Sequence, residues 1–175
     1  METRPRIKIP LGTADKIAEA GGWCILLLLW AVVLMHYGKL PQTIPVHYNA
    51  SGTADGYSSR SAILSLPVTA SLLYIGMTIL NRFPHIFNYL REVNAGNARV
   101  QYTQATRMIR YLKLMVAVVF LAVGLYALYT AGGNNARWGS LLLPGCLLMI
   151  FLPLLVFVLR SAGKRKEKAG AGRES

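Results

Sequence analysis

Residues 20–37 read AGGWCILLLLWAVVLMHY, a run with no Asp, Glu, Lys or Arg. A hydrocarbon layer about 30 Å thick is crossed by roughly 20 helical residues, so a run of this kind is the signature of a membrane span. Three more runs of similar length follow, at 61–80, 114–131 and 138–159. None has a charge in its interior, where one would cost about 2.5 kcal/mol or more. With 54% hydrophobic side chains over 175 residues, the chain is too apolar for an ordinary soluble domain. The expected fold is all-α, a polytopic membrane bundle of four transmembrane helices with a structured extracytoplasmic loop.

The first run follows a basic segment, as the core of a secretory signal would. Its length, and an exit (MHYGKLP) lacking the small-x-small pattern of a cleavage site, predict an anchor that is retained. Orientation follows from the basic residues, which accumulate on the cytoplasmic side of short loops. Sixteen of the nineteen Lys and Arg fall in 1–19, 81–113 and the tail, against Lys39, Arg60 and Arg137 in the other two loops. Both termini are therefore expected in the cytoplasm of a bacterial cell, with the chain in its inner membrane. The resulting division is a cytoplasmic segment 1–19, a transmembrane domain 20–160 with outer loop 38–60 and cytoplasmic loop 81–113, and a basic disordered tail 161–175. The net charge of +12 is explained by this topology, so a nucleic-acid partner is not expected. The bilayer is the primary partner, and the tail SAGKRKEKAGAGRES could also hold anionic lipids.

Cys24 and Cys146 fall at different depths, which predicts no disulfide between them. Pro67, Pro144 and Pro153 lie in spans, where neighbours or water can satisfy the freed carbonyls. Ser65, Thr69, Gly76 and Gly124 are small enough for close helix packing. No ionisable residue is read at mid-membrane, which argues against proton-coupled transport. In the cytoplasmic loop Asn97 is a candidate helix cap, after which neither Pro nor Gly interrupts the chain until Gly124. On that helix Arg99, Arg107 and Arg110 fall on one face, read as solvated or as a grip for lipid phosphate or an acidic partner.

The outer loop holds PQTIPVHYNASGTADGYSSR at 41–60. Its prolines predict an extended start, with Ile44, Val46 and Tyr48 on one face and Pro45, His47 and Asn49 on the other. Asn49-Ala50-Ser51-Gly52 and Asp55-Gly56 are turn signals that can fold Asp55 back toward His47. Asp55 is the one carboxylate on that side, so chemistry by paired carboxylates is excluded there. His47 and Asp55, with Asn49 or with His36 from the first helix, could ligate a divalent metal; the alternative is a hydrogen-bonded pair that shapes the loop. Ser51, Ser58 and Ser59 lack a nucleophile-elbow context.

The pattern LPQTIPVHYNASGTADGYSSR between two membrane helices resembles the domain of unknown function 1648. That domain also forms the N-terminal part of SdpI-type bacteriocin immunity and signalling proteins. The likeness covers roughly 26–73, and Pro45, His47, Asn49, Gly52 and Asp55 match its signature. It implies a short stand-alone member, since the further C-terminal helices of SdpI-like proteins are missing here. The function expected is binding, sensing or an immunity-like role, with the loop recognising a ligand, a membrane-active peptide or a membrane-protein partner. A metal-dependent membrane enzyme using His47 and Asp55 is the alternative, and a structural subunit of a membrane complex a third; catalytic residues and other cofactors are not read.

Overall fold

The structure, a computed structural model, describes residues 4–134 and 139–171, with 160–171 defined by backbone alone. Arg137, Trp138 and Arg173 lie outside the described residues. The order is helix α1 (Thr13–Tyr37), strands β1 (Thr43–Tyr48) and β2 (Ala54–Ser59), a 3-10 turn Arg60–Leu64, and helices α2 (Ser65–Leu80), α3 (Ala98–Ala131) and α4 (Gly139–Ala171). Among the described residues, four helices are long and apolar enough to cross a membrane. The loop between the first two is a two-stranded antiparallel sheet, so the expectation of an all-α chain is corrected by this one hairpin.

The α1 stripe that turns inward is Asp15, Ala18, Gly22, Leu26, Leu29 and Val33, spaced by threes and fours as one helix face requires. Leu26, Leu29 and Val33 meet Ala70 and Tyr74 of α2 and Ala117, Ala127 and Ala131 of α3, with Ile44 and Ile63 closing the hairpin end. Outward residues are as apolar as inward ones: Leu27, Leu72, Leu141 and Leu148 are all more than 60% exposed. A soluble protein does not present such a continuous surface; a bilayer covers it. α3 is the centre, packed against α1, α2 and α4. At about 1.5 Å per residue its 34 residues extend about 51 Å, well past a 30 Å hydrocarbon layer.

Close approach depends on fewer small residues than expected. A methyl group on Gly124 would lie 2.9 Å from Leu29 Cδ1, and one on Gly22 would overlap the Tyr74 phenol. Ser65 and Thr69, in contrast, are exposed, and nothing lies within 4 Å of the Gly76 position; these three face outward. Pro67 sits in the first turn of α2, where its missing N–H has no helical partner to lose. Both cysteines are free thiols. The helix expected after Asn97 is present and uninterrupted to Ala131. α4 likewise stays helical to Ala171, across the part of 161–175 read as disordered; its Lys, Glu and Ala content suits a helix.

Gly124→Val places a branched side chain against Leu29, an overpacking worth roughly 1–3 kcal/mol, and should lower the melting temperature in detergent. Gly76→Ala, at an outward position, should leave it unchanged or raise it.

Candidate functional site

The hairpin is anchored through its backward-facing residues. Ile44 is buried in the bundle core, 1% exposed, and Pro45 is buried beside it. The Tyr48 hydroxyl lies 2.6 Å from Thr130 Oγ1 on α3, and the Tyr126 hydroxyl donates to the Gly52 carbonyl at 2.6 Å. The two tyrosine rings meet edge to face at 4.9 Å. Burial raises the Tyr48 phenol above its ordinary value, against the smaller lowering effect of the Thr130 bond; the group is a neutral anchor at physiological pH.

The expected alternation along β1 is corrected at Val46, which is 47% exposed, whereas Pro45 turns inward. Flanking pairs Pro45↔Tyr57 and Tyr48↔Ala54 would set His47 opposite Asp55, but locally His47 pairs with Gly56. Val46 and Asp55 are thereby left as extra residues, one on each strand. Such bulges re-aim side chains, and here they turn Val46 out and bring the Asp55 carboxylate onto the His47 ring. His47 Nδ1 and Asp55 Oδ1 are hydrogen-bonded, with side chains 73% and 43% exposed. A ring whose Nδ1–H donates to a carboxylate keeps Nε2 as an acceptor when neutral.

The other motif residues hold shape. Asn49 Oδ1 accepts from the N–H of Ser51 and of Thr53, both at 3.0 Å, closing the turn. Gly52 has φ 77°, a left-handed conformation that favours glycine, and its missing side chain lets the turn lie against the Gly139 backbone. Gly56, read from the sequence as part of a turn signal, lies within β2 instead, and a methyl group there would stand 2.8 Å from His47 Cβ. Between hairpin and α3 lies a cavity of about 390 Å³ lined by Thr43, Tyr48, Tyr57, Tyr126, Thr130 and Asn134, among others. Its hydroxyls and backbone carbonyls suit a polar, hydrogen-bonding ligand.

The expected metal set is not assembled: among the described residues no three His, Cys, Asp or Glu gather as ligands. His36 Nδ1 is instead 2.8 Å from the Val32 carbonyl. The only hydrogen bond described for the Ser59 hydroxyl is to Ser61, at 2.8 Å.

The opposite end of the bundle carries a feature that sequence reasoning missed. Lys113, with no exposure, donates to Glu19 Oε2 at 2.6 Å and to Thr78 Oγ1 at 2.8 Å, and its ammonium lies 4.6 Å from the Tyr74 ring centroid. Arg110 Nε is 3.3 Å from Glu19 Oε1 and its Nη1 3.6 Å from Asp15 Oδ1. Arg107 Nε reaches both Asp15 oxygens, at 3.2 and 3.3 Å. The basic face expected of Arg99, Arg107 and Arg110 is therefore corrected: two of the three are bound to α1 carboxylates. The available signal was the spacing of Asp15 and Glu19, which shares one turn with the apolar stripe of α1.

Residues 24–70 match the profile described as Domain of unknown function (DUF1648). The likeness is to this segment of the chain. The segment contains the hairpin-side half of the α1 stripe, the whole hairpin and the start of α2, and all five motif residues fall inside it. An uncharacterised protein of the archaeon Archaeoglobus fulgidus is 28% identical over 145 residues, covering 75% of this chain and 79% of the relative. The likeness is not confined to bacteria. No solved structure matches the chain.

Removing one partner of a buried ion pair costs about 3–5 kcal/mol, because the other charge is left unpaired. Glu19→Gln should therefore sharply lower the melting temperature in detergent, whereas adding Lys113→Met to it should recover most of the loss.

Proposed function

We propose that the protein is a membrane-embedded binding or sensing protein whose hairpin is the recognition element. The observation that carries this reading is the division of labour in the motif. Pro45 and Gly52 fix the hairpin on the bundle and Asn49 closes its turn, while His47 and Asp55 are held together and turned outward. Rigid support with an exposed polar face is what recognition requires, since little ordering remains to oppose binding. An imidazole, a carboxylate and the Tyr57 phenol favour a polar ligand that is rich in hydrogen-bonding groups, such as a cationic peptide segment or an envelope component. The immunity-like role implied by the likeness to SdpI-type proteins is one form of this reading. Sixteen basic residues of nineteen at the opposite end support placing the hairpin on the outer side of a bacterial-type cytoplasmic membrane, with both termini inside.

A host expressing the full chain should tolerate a higher dose of a cationic membrane-active peptide than the empty host, by severalfold. His47→Ala and Asp55→Ala should remove that protection at unchanged protein level in the membrane. Equal protection by both variants, or none by the wild type, counts against the proposal. Elemental analysis of the purified protein tests the metal-enzyme alternative: one equivalent of divalent metal in wild type, lost in both variants, would replace the binding reading.

Topology is checked with a cysteine-free background (Cys24→Ala, Cys146→Ala) carrying Ser58→Cys. A membrane-impermeant maleimide should label Ser58→Cys in intact cells; labelling only after lysis would invert the orientation.

A further inference from the structure

A second cavity, about 750 Å³, opens at the basic end of the bundle between the 81–97 loop, α3 and α4. Its walls are largely apolar: Leu80 at the end of α2, Ile86 and Leu90 of the loop, Met108 and Ile109 of α3, and Phe157 of α4. Asn88, Arg91, Gln101 and Gln104 supply the polar part of its lining.

Depth identifies what such a cavity would meet. Phe157 stands 18 residues from the start of α4 and Ile109 stands 22 from the end of α3, or about 27 and 33 Å from the hairpin end. Gln101 is 30 residues from that end, about 45 Å. The cavity thus begins at the edge of a 30 Å hydrocarbon layer and continues into the headgroup region. Leu90 is 76% exposed, Ile86 60% and Val100 56%, apolar surface at a level where hydrocarbon alone would not cover it.

The charge around the cavity is predominantly basic, with Glu92 as the carboxylate of the 81–97 loop. Arg91 lies in its lining, and exposed Arg82 and Arg99 flank the loop and the start of α3. Asp15 and Glu19, the carboxylates of α1 at this end, are engaged by Arg107, Arg110 and Lys113. Apolar walls opening on a basic mouth at headgroup depth complement an amphiphile with an acyl chain and an anionic head.

We propose that this cavity is a binding site for one anionic glycerophospholipid, an acyl chain lying against Met108, Ile109 and Phe157 and the phosphate held among the basic residues at the mouth. The site is separate from the hairpin and stands whether or not the hairpin recognises a ligand.

The test uses the full chain in neutral detergent and native mass spectrometry, with phosphatidylglycerol or phosphatidylcholine of the same acyl chains added. One phosphatidylglycerol should remain bound at activation energies that strip phosphatidylcholine, a preference of about tenfold. V100W/M108W, which fills the cavity, should reduce that preference to near unity with an unchanged melting temperature. Equal retention of the two lipids by wild type, undiminished preference in the filled variant, or a lipid-free dimer would overturn the proposal. Should the double variant fail to fold, Val100→Trp alone, at an exposed position, becomes the reporter. Its fluorescence should be quenched more by phosphatidylglycerol brominated on its chains than by the brominated phosphatidylcholine, and equal quenching overturns the proposal.

Discussion

Lys113 has no exposure, and the carboxylate facing its ammonium is Glu19. A cation so placed requires its partner, and that requirement fixes α1 against α3 in both height and rotation. Glu19 then takes Arg110 as well, Asp15 takes Arg110 and Arg107, and Thr78 brings α2 into the same layer. Three helices are thereby tied at one level. Glu19 lies 18 residues from the end of α1, Lys113 18 from the end of α3, and Thr78 18 from Arg60, about 27 Å in each case. The ion layer therefore sits at the edge of the hydrocarbon, where snorkelling to water is short and the desolvation of five charges is least severe. Such a layer adds little net stability over an apolar core of the same shape. Its physical contribution is registry: a helix slipped by one turn would strand a charge in hydrocarbon.

The four spans were legible because hydropathy reports each residue's solvent without needing a partner. The continuous helix after Asn97 was legible for a similar reason, since the chain offers no Pro or Gly to stop it. Even the approach of Asp55 to His47 followed from turn residues between them. The ion layer was not legible, because charge pairing across 90 or more residues depends on helix rotation, and Asp15 and Glu19 were assigned to an aqueous segment ahead of the first span. The place of Asp15 on the Asp15-Ala18-Gly22-Leu26 stripe, with Glu19 one turn on, was the local clue. The strand faces failed for another reason. Two compensating bulges cancel beyond the site and leave no trace in the overall register, yet the first of them turns Val46 outward.

The bulges also explain how an exposed pair is kept in place. A His–Asp contact on a plain two-stranded ribbon would be marginal, because an isolated hairpin is at best weakly stable in water. Here the ribbon is not isolated: Ile44 is in the bundle core, Tyr48 and Tyr126 bond across to Thr130 and Gly52, and Arg60 N–H donates to the Gln42 carbonyl at 2.9 Å where the strands leave the membrane helices. The stability of the site is thus borrowed from the helices beneath it, which frees the outward residues from any packing duty.

That dependence reaches beyond the segment that matches DUF1648. Residues 24–70 supply the hairpin-side part of α1, the hairpin and the first turns of α2, yet Tyr126, Thr130 and Asn134, the helix side of the polar cavity, come from α3 and the turn after it. The matched segment accordingly defines the shape of the cap, and a chain segment outside it completes the chamber the cap encloses. Substitution at Tyr126 or Thr130 would alter the cavity while every signature residue stayed in place. Two chains with the same motif can therefore present different chambers, so a shared hairpin signature specifies how the ligand surface is held before it specifies the ligand.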